Sequence, residues 1–500
     1  MKFLRPSQFI VRHILAFSCL GPLVAYTGVV WAQEAQFRAV GGPGLERGEV
    51  VVPHATGAFL VCNSKLPEVD LLRAYLVHYD SELNVDWTRL LPCPALLQEV
   101  VDAWSDSPGS VTVMTRELRP EDGYVTVMHR LDSTGTWAGS AALQAPQNFR
   151  PVAHVEWLGE PWVVGATGSQ PTAVNVVTGN VKTWGGLPGT LDVVTDAAVA
   201  NNLLVVVGSR TQDDTTRTAI WGVYPFGQLA FENVGADAAA GAWSQADAVA
   251  VRGSNVRVLH SFHPHVPEDQ WLLHSMLSVN LTSGQLNGIL YGPQEGQRPG
   301  RDLISTPQGW VKLSQSDVVP QLDLSMLVTH YNPNGLYLSQ GAWGTIFEDD
   351  PSHITQSEDG AIWVAGSTRG AIDGTWNACV LRLDSLGPLG AWSNDMPGFG
   401  TYNDPLFDDV LSITQIESDG GWTCAPNPAG SQTTLIPPST MSTADRAALK
   451  WVLRDGQGRI VDEGQGTDVN LDKLAPGHHG IQVRDRGGDV HVRVLVVGER

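Results

Sequence analysis

Several things are scarce or missing in this chain, and each absence narrows the reading. Basic side chains are outnumbered: 31 Lys and Arg stand against 52 Asp and Glu, a net charge of -21 that repels nucleic acid phosphates and anionic lipid surfaces. No amphipathic helical stretch runs longer than a few turns, which argues against a helical bundle or an α/β fold. After the N-terminal segment no apolar run is long enough to cross a bilayer. The signatures H-E-x-x-H, G-x-S-x-G, S-x-x-K, the phosphate-binding loop and the EF-hand loop are all missing, so no catalytic residue is nominated and an enzyme is the less favoured reading. No cysteine pair has C-x-x-C spacing, which argues against structural zinc and thioredoxin-like chemistry.

Glycine (53 residues), proline (31) and tryptophan (17) are plentiful, which suits an all-β chain of short strands and tight turns. A four-strand pattern recurs about every fifty residues from Gly48 onward, and His353 to Trp392 shows it best. Its clearest mark is the turn between the third and fourth strands, as in Arg130-Leu131-Asp132-Ser133-Thr134-Gly135 and Asn280-Leu281-Thr282-Ser283-Gly284. Asp or Asn opens such a turn by bonding its backbone, and Gly closes it at a position that needs positive φ. A bulky side chain follows each turn: Trp87, Trp137, Trp184, Phe231, Leu290, Trp343 and Trp392. These are expected to fill the space between stacked sheets.

Four-stranded units of this kind must stack to bury both faces, and residues 33–424 resemble a β-propeller of seven or eight blades. An eighth, half-made copy spans Asp408 to Trp422, and Gln36 to Val40 is the free segment expected to pair with it and close the ring. Ser357-Glu358-Asp359-Gly360-Ala361-Ile362-Trp363 is similar to the Asp-box turn of sialidase-type propellers, a turn that is structural.

Residues 1–32 have the three parts of a secretory signal: Lys2, Arg5 and Arg12, an apolar run from Ile14, and Val30-Trp31-Ala32 as a small-x-small cleavage site. The mature chain then keeps Cys62, Cys93, Cys379 and Cys424. Oxidising surroundings permit three pairings, of which proximity and register favour Cys62–Cys93 and Cys379–Cys424.

Beyond Cys424 a Pro/Ser/Thr-rich strip leads into a second small β unit, residues 425–500, read as an antiparallel sandwich. It resembles the type A C-terminal sorting domain of cargo of the type IX secretion system of Bacteroidota. The resemblance rests on Pro426-Asn427-Pro428, on Asp455 with Gly458-Arg459, on Leu474 with Gly477, and on the terminal strand Val490 to Val497. His479 stands where that family usually has tyrosine. The resemblance implies export to the periplasm, passage across the outer membrane by recognition of the tail, and a secreted or cell-surface destination.

Two constellations are candidates for chemistry. Asp102, Asp192, Asp247, Asp302, Asp350 and Asp409 stand near the start of the first strand of successive blades, where carboxylates round one channel mouth would hold a divalent cation. His260, His263, His265 and His274 cluster in the fifth copy with the density of a transition-metal site. The favoured role is a binding module for an extracellular glycan or protein, with no cofactor required. The alternative is an extracellular polysaccharide hydrolase or lyase using the channel-mouth carboxylates.

Overall fold

The computed structural model describes residues 35–500 except 42–43, 66–71, 94–96, 120–122, 188, 236–239, 265–272, 291–299, 317–324, 346–347, 370–374, 384–399, 404–422, 426–431, 438–440, 455–459, 472–476, 485–489 and 498–500. It is all-β, with a propeller of up-and-down sheets. Strand β1 (Ala35–Gly41) comes first, and the first meander is β2–β5 (45–90), in which β2 (Leu45–His54) is the first strand. Next come β6–β9 (97–142) and β10–β13 (149–183), which start with β6 (Leu97–Trp104) and β10 (Phe149–Trp157). The eight strands β14–β21 (191–290) form two such meanders, starting with β14 (Leu191–Ala200) and β18 (Ala240–Arg252) and joined by the single parallel pair Thr216–Trp243. Then follow β22–β25 (300–343), starting with β22 (Gly300–Thr306), and β26 (Asp349–Gln356), β27 (Ile362–Arg369) and β28 (Trp376–Leu383). Each first strand lies beside the first strand of the next meander, and β26 lies beside β2, so the ring is closed.

The turns behave as the sequence predicts. Asp132 Oδ1 accepts the backbone N–H of Thr134 and of Thr136, at 2.9 and 3.0 Å. Gly135 and Gly284 sit at φ 74° and 71°. In the first meander the same turn runs from Asp80, and Leu83 takes the left-handed position at φ 60°, buried in the core. The Asp-box-like turn is a hairpin lock: Asp359 Oδ1 accepts from Ala361 N at 3.2 Å, and Trp363 Nε1 donates to Ser357 Oγ at 3.3 Å.

The bulky residue after each turn is not uniform. Trp184, Phe231 and Trp343 are buried, but Trp137 is 50% exposed. Two of the aromatics cover the following meander's turn: Trp87 lies over Gly135 and Phe231 over Gly284, each so close that a Cβ there would be crowded, whereas Gly227 is met by Lys182. At the next step round, Gln144 lies against Gly179, and Trp137 is left facing solvent.

Closure of the ring differs from expectation. β1 pairs antiparallel with β28, from Ala35–Leu383 to Val40–Ala378, and runs parallel to β29 (Gly400–Asn403) on its other edge. The fourth strand of that sheet, beside β28, is therefore the N-terminal strand β1 and not the segment expected to end in Trp392, and β29 lies outside it. Residues 384–399 and the half-copy's Asp408–Trp422 lie outside the described residues. Alternation explains why β1 suits the position: Phe37 and Ala39 enter the core shared with β22–β25, and Val40 enters the core shared with β2–β5.

Cys62, Cys93 and Cys379 form no disulfide, which overturns both expected pairings. Cys62 and Cys379 are fully buried among apolar side chains and behave as small core residues, Cys379 on the interior strand β28 with partners Gly366 and Ala39. Cys424 lies on β30 (Thr423–Ala425), paired with Leu435 in a separate sheet.

That separate region holds two sheets. One has the order β30, β31 (Gln432–Ile436), β34 (Asp468–Asn470). The other has the order β33 (Ile460–Gln465), β32 (Lys450–Arg454), β35 (Gly477–Arg484), β36 (Val490–Val497). Leu435 and Val469 from the first share one core with Trp451, Leu453, Ile481 and Val483 from the second. A short helix α1 (Thr443–Ala447) is capped by Ser442, whose hydroxyl accepts from Asp445 N. Of the expected sorting motif, Gly477 begins β35. Pro426, Asn427, Pro428, Asp455, Gly458, Arg459 and Leu474 lie outside the described residues. No helix among the described residues is long and apolar enough to cross a membrane.

Candidate functional site at the channel mouth

The inner strands share one irregularity that decides what faces the axis. Each slips register at a corresponding place: between Gly48 and Val50, Val100 and Asp102, Pro151 and Ala153, Val194 and Asp196, Ala246 and Ala248, Gly300 and Asp302, and Pro351 and His353, and β18 slips a second time between Ala240 and Ser244. A bulge inserts one residue and re-aims the side chains around it. The extra residues are Glu49, Val101, Val152, Thr195, Asp247, Arg301 and Ser352.

At the end of the channel where these strands begin, a cavity of about 310 Å³ is lined by bulge residues Glu49, Asp247 and Arg301 together with Arg47, Gln245 and Asp350, two positions before their own bulges. Around it Arg301 Nη2 donates to Asp350 Oδ1 at 2.5 Å. Asp247 accepts from the Ser261 hydroxyl and, at 3.3 Å, from Gln245 Nε2. Burial pushes the Asp247 carboxyl up to about 7, opposed by those two hydrogen bonds and by the Arg301 charge. Glu49 accepts from Asn63 Nδ2 at 2.9 Å, and burial again raises its pKa against the pull of that bond and of Arg47.

The five expected cation ligands among the described residues do not form one metal-holding group. Asp102 and Asp302 follow their bulges and act as clasps between neighbours. Asp102 accepts from Ala103 N at 2.7 Å and from His154 N on β10 at 2.8 Å. Asp302 does the same with Leu303 N at 2.7 Å and Ile354 N on β26 at 2.8 Å. Asp192 is buried in a fork with Arg210, at 2.5 and 2.7 Å. Asp247 and Asp350 do reach the cavity, and Asp409 lies outside the described residues. Side chains alternate along a strand, so carboxylates at different offsets from the bulge point to different places.

The histidines do not converge either. His260 is paired across the strands with Ser275 and His274 with Ser261, so the two imidazoles lie on opposite faces of their sheet. His260 stacks on Phe262, His263 meets Trp243 edge-on, and His274 Nε2 lies 2.9 Å from Lys312 Nζ. His265 lies outside the described residues. Among the described residues no group of three or more His, Cys, Asp or Glu is placed to hold a metal.

A larger hollow of about 790 Å³ is lined by His54, Asp106, Asp359 and Arg382 on the hairpin turns. Three of its charged side chains, Asp106, Asp359 and Arg382, are already matched. Asp106 accepts from Trp104 Nε1 at 2.6 Å, Thr112 Oγ1 at 2.5 Å and Arg130 Nη2 at 2.8 Å, and Arg382 lies 3.6 Å from Asp359. At the channel mouth Arg47 is exposed and has no ion pair among the described residues. Donors left over at the mouth make it the better place for a ligand.

Sequence reasoning missed Arg47, Glu49, Arg301 and a third clasp, Asp196, which accepts from Ala197 N and from Val249 N on β18, both at 2.7 Å. A signal was present. Gly48, Pro151, Gly300 and Pro351 each stand one residue before the bulge, and Gly or Pro inside a strand marks such a place.

No protein-family model matches this chain, and no curated protein matches it. Solved structures are similar to it at low identity and low TM-score. The extracellular domain of a putative hybrid two-component system from B. thetaiotaomicron is 8% identical with a TM-score of 0.41, covering 93% of this chain and 58% of that one. The β-propeller domain of the Trilobed protease from Pyrococcus furiosus is 11% identical with a TM-score of 0.41, covering 70% of this chain and 97% of that one. The chain thus spans a little over half of the first of these two.

Proposed function

We propose that this chain is a secreted or surface-displayed binding module: a ring of seven blades whose channel mouth takes an extracellular glycan or protein. The observation that carries the reading is the cavity lined by Arg47, Glu49, Asp247 and Arg301, which combines an exposed guanidinium, that of Arg47, with carboxyl acceptors. Small polar sites of this kind fix a ligand by a few convergent groups. In a screen of extracellular polysaccharides and surface proteins, the full chain retains a ligand and Gln245→Trp, which fills the mouth from its rim, loses it. Retention by Gln245→Trp would move the site elsewhere. Reducing ends released from a polysaccharide by the native chain and not by Asp247→Asn would select the hydrolase instead, since a carboxyl raised to about 7 suits a general acid.

We further propose that residues 425–500 are a sandwich-like type A sorting domain that takes the chain out through the type IX machinery. Support comes from the motif residues and from the shared core of the two small sheets. Deleting 425–500 is expected to leave the propeller folded and held in the periplasm of a host with this system. Cell fractionation that finds the truncated chain outside in normal amount would refute the route.

A further inference from the structure

The charges at the channel mouth are ordered, and the order says what chemistry the cavity selects. Going round it, Asp247 faces Arg301, Arg301 bonds Asp350, and Glu49 lies under the influence of both Asp350 and Arg47. Each guanidinium carries five N–H donors in a planar fork, a shape that fits a carboxylate bidentately. Arg301 gives one to Asp350, and Arg47 is exposed with no ion pair among the described residues. The same lining offers Asp247 and Glu49, each with hydrogen-bonding capacity beyond the bonds it makes.

What is absent from the lining is equally informative. Neutral sugars are commonly held by stacking on an aromatic face, and no aromatic side chain lines this cavity among the described residues. Recognition here must come from charge and hydrogen bonds. At about 310 Å³ the space lies at the small end of ligand pockets and suits one sugar ring rather than an oligosaccharide. The surrounding acidity of the chain, 52 carboxylates against 31 bases, repels a polyanion at long range but is screened within about 8 Å at physiological salt, so a single compact anion still reaches the two arginines.

We propose that the mouth binds one acidic sugar residue of the hexuronic acid class, with its carboxylate on Arg47 and Arg301 and its hydroxyls on Glu49 and Asp247. The proposal rests on the binding-module reading and adds the ligand's charge to it. The test is titration calorimetry of the full chain with D-glucuronate and with D-glucose. Glucuronate is expected to bind at least tenfold more tightly than glucose, as an added charge-assisted bond implies. Arg47→Gln and Arg301→Gln are each expected to weaken glucuronate by about 10- to 100-fold and to leave glucose unchanged. Arg301→Gln also strips Asp350 of its partner, so Arg47→Gln, at an exposed position, decides the matter, with an unchanged melting curve as the check on folding.

Equal binding of the two sugars, no binding of glucuronate, or an unaltered glucuronate affinity in Arg47→Gln would overturn it. These failures separate from failure of the binding module itself. If the sugars bind alike and Gln245→Trp abolishes both, the cavity is a ligand site without charge selection. If neither binds and the wider screen finds nothing that Gln245→Trp loses, both readings fall.

Discussion

Deleting residues 33–41 is expected to lower the melting temperature of the whole propeller by about 10 °C in one cooperative step. The segment removed is β1, which is hydrogen-bonded to β28 on one edge and β29 on the other. Phe37, Ala39 and Val40 on it are fully buried, and they feed the cores on both sides of that sheet. Burial of a Phe or Val side chain contributes about 1.5–3 kcal/mol, so the three together give roughly 4–6 kcal/mol before any cavity term. At about 2 °C per kcal/mol for a large domain, that amounts to roughly 10 °C. The loss should be cooperative because each blade depends on its neighbours, and deletion opens an apolar edge on β28. Calorimetry of the truncated chain checks this, and a curve that only broadens at its low end would mean the strand is an ornament on an independently closed ring.

How much of this was legible in the sequence follows from what governs each feature. Local chemistry reads well: Asp132 and Asn280 announce their turns, and Gly135 and Gly284 their positive φ, because turn geometry is set by four or five adjacent residues. The need for an N-terminal strand was legible too, since Gln36–Val40 alternates and had no local partner. Its partner was not, because the open edge of β28 arises only once blades are stacked. The channel lining was misread for a related reason. Asp102, Asp192, Asp247 and Asp350 each stand at a different offset from the bulge, and one inserted residue sends otherwise similar carboxylates to a backbone clasp, a buried arginine or the open mouth. The cysteines misled because an oxidising destination permits a disulfide while packing decides whether two thiols ever meet.

The clasps lead to the second large effect, a stability difference whose size changes with pH. Asp196 has one oxygen on Ala197 N and the other on Val249 N of the neighbouring first strand, so it ties β14 to β18. Two physical demands oppose each other there. Two N–H donors favour an ionised carboxylate, while burial beside the like charges of Asp302 and Asp102 disfavours it, and burial dominates, raising the group to about 8. A carboxyl raised in the folded state adds stability that is fully present below its unfolded pKa, near 3.9, and is lost as pH rises through about 8. Asparagine cannot titrate, and its amide NH₂ must face one of the two backbone donors, leaving a buried N–H unsatisfied at a cost of about 1–3 kcal/mol. Asp196→Asn is therefore expected to be less stable than the native chain by about that amount at pH 5. The gap should shrink by up to about 1.4 kcal/mol per pH unit above pH 5 and reverse in favour of Asp196→Asn before pH 8, because only the native chain loses the proton's contribution. Denaturant unfolding of both chains at pH 5, 7 and 8.5 measures it. A gap that instead widens with pH would mean that the two backbone N–H groups hold Asp196 ionised, and that the ring is clasped by a buried negative charge.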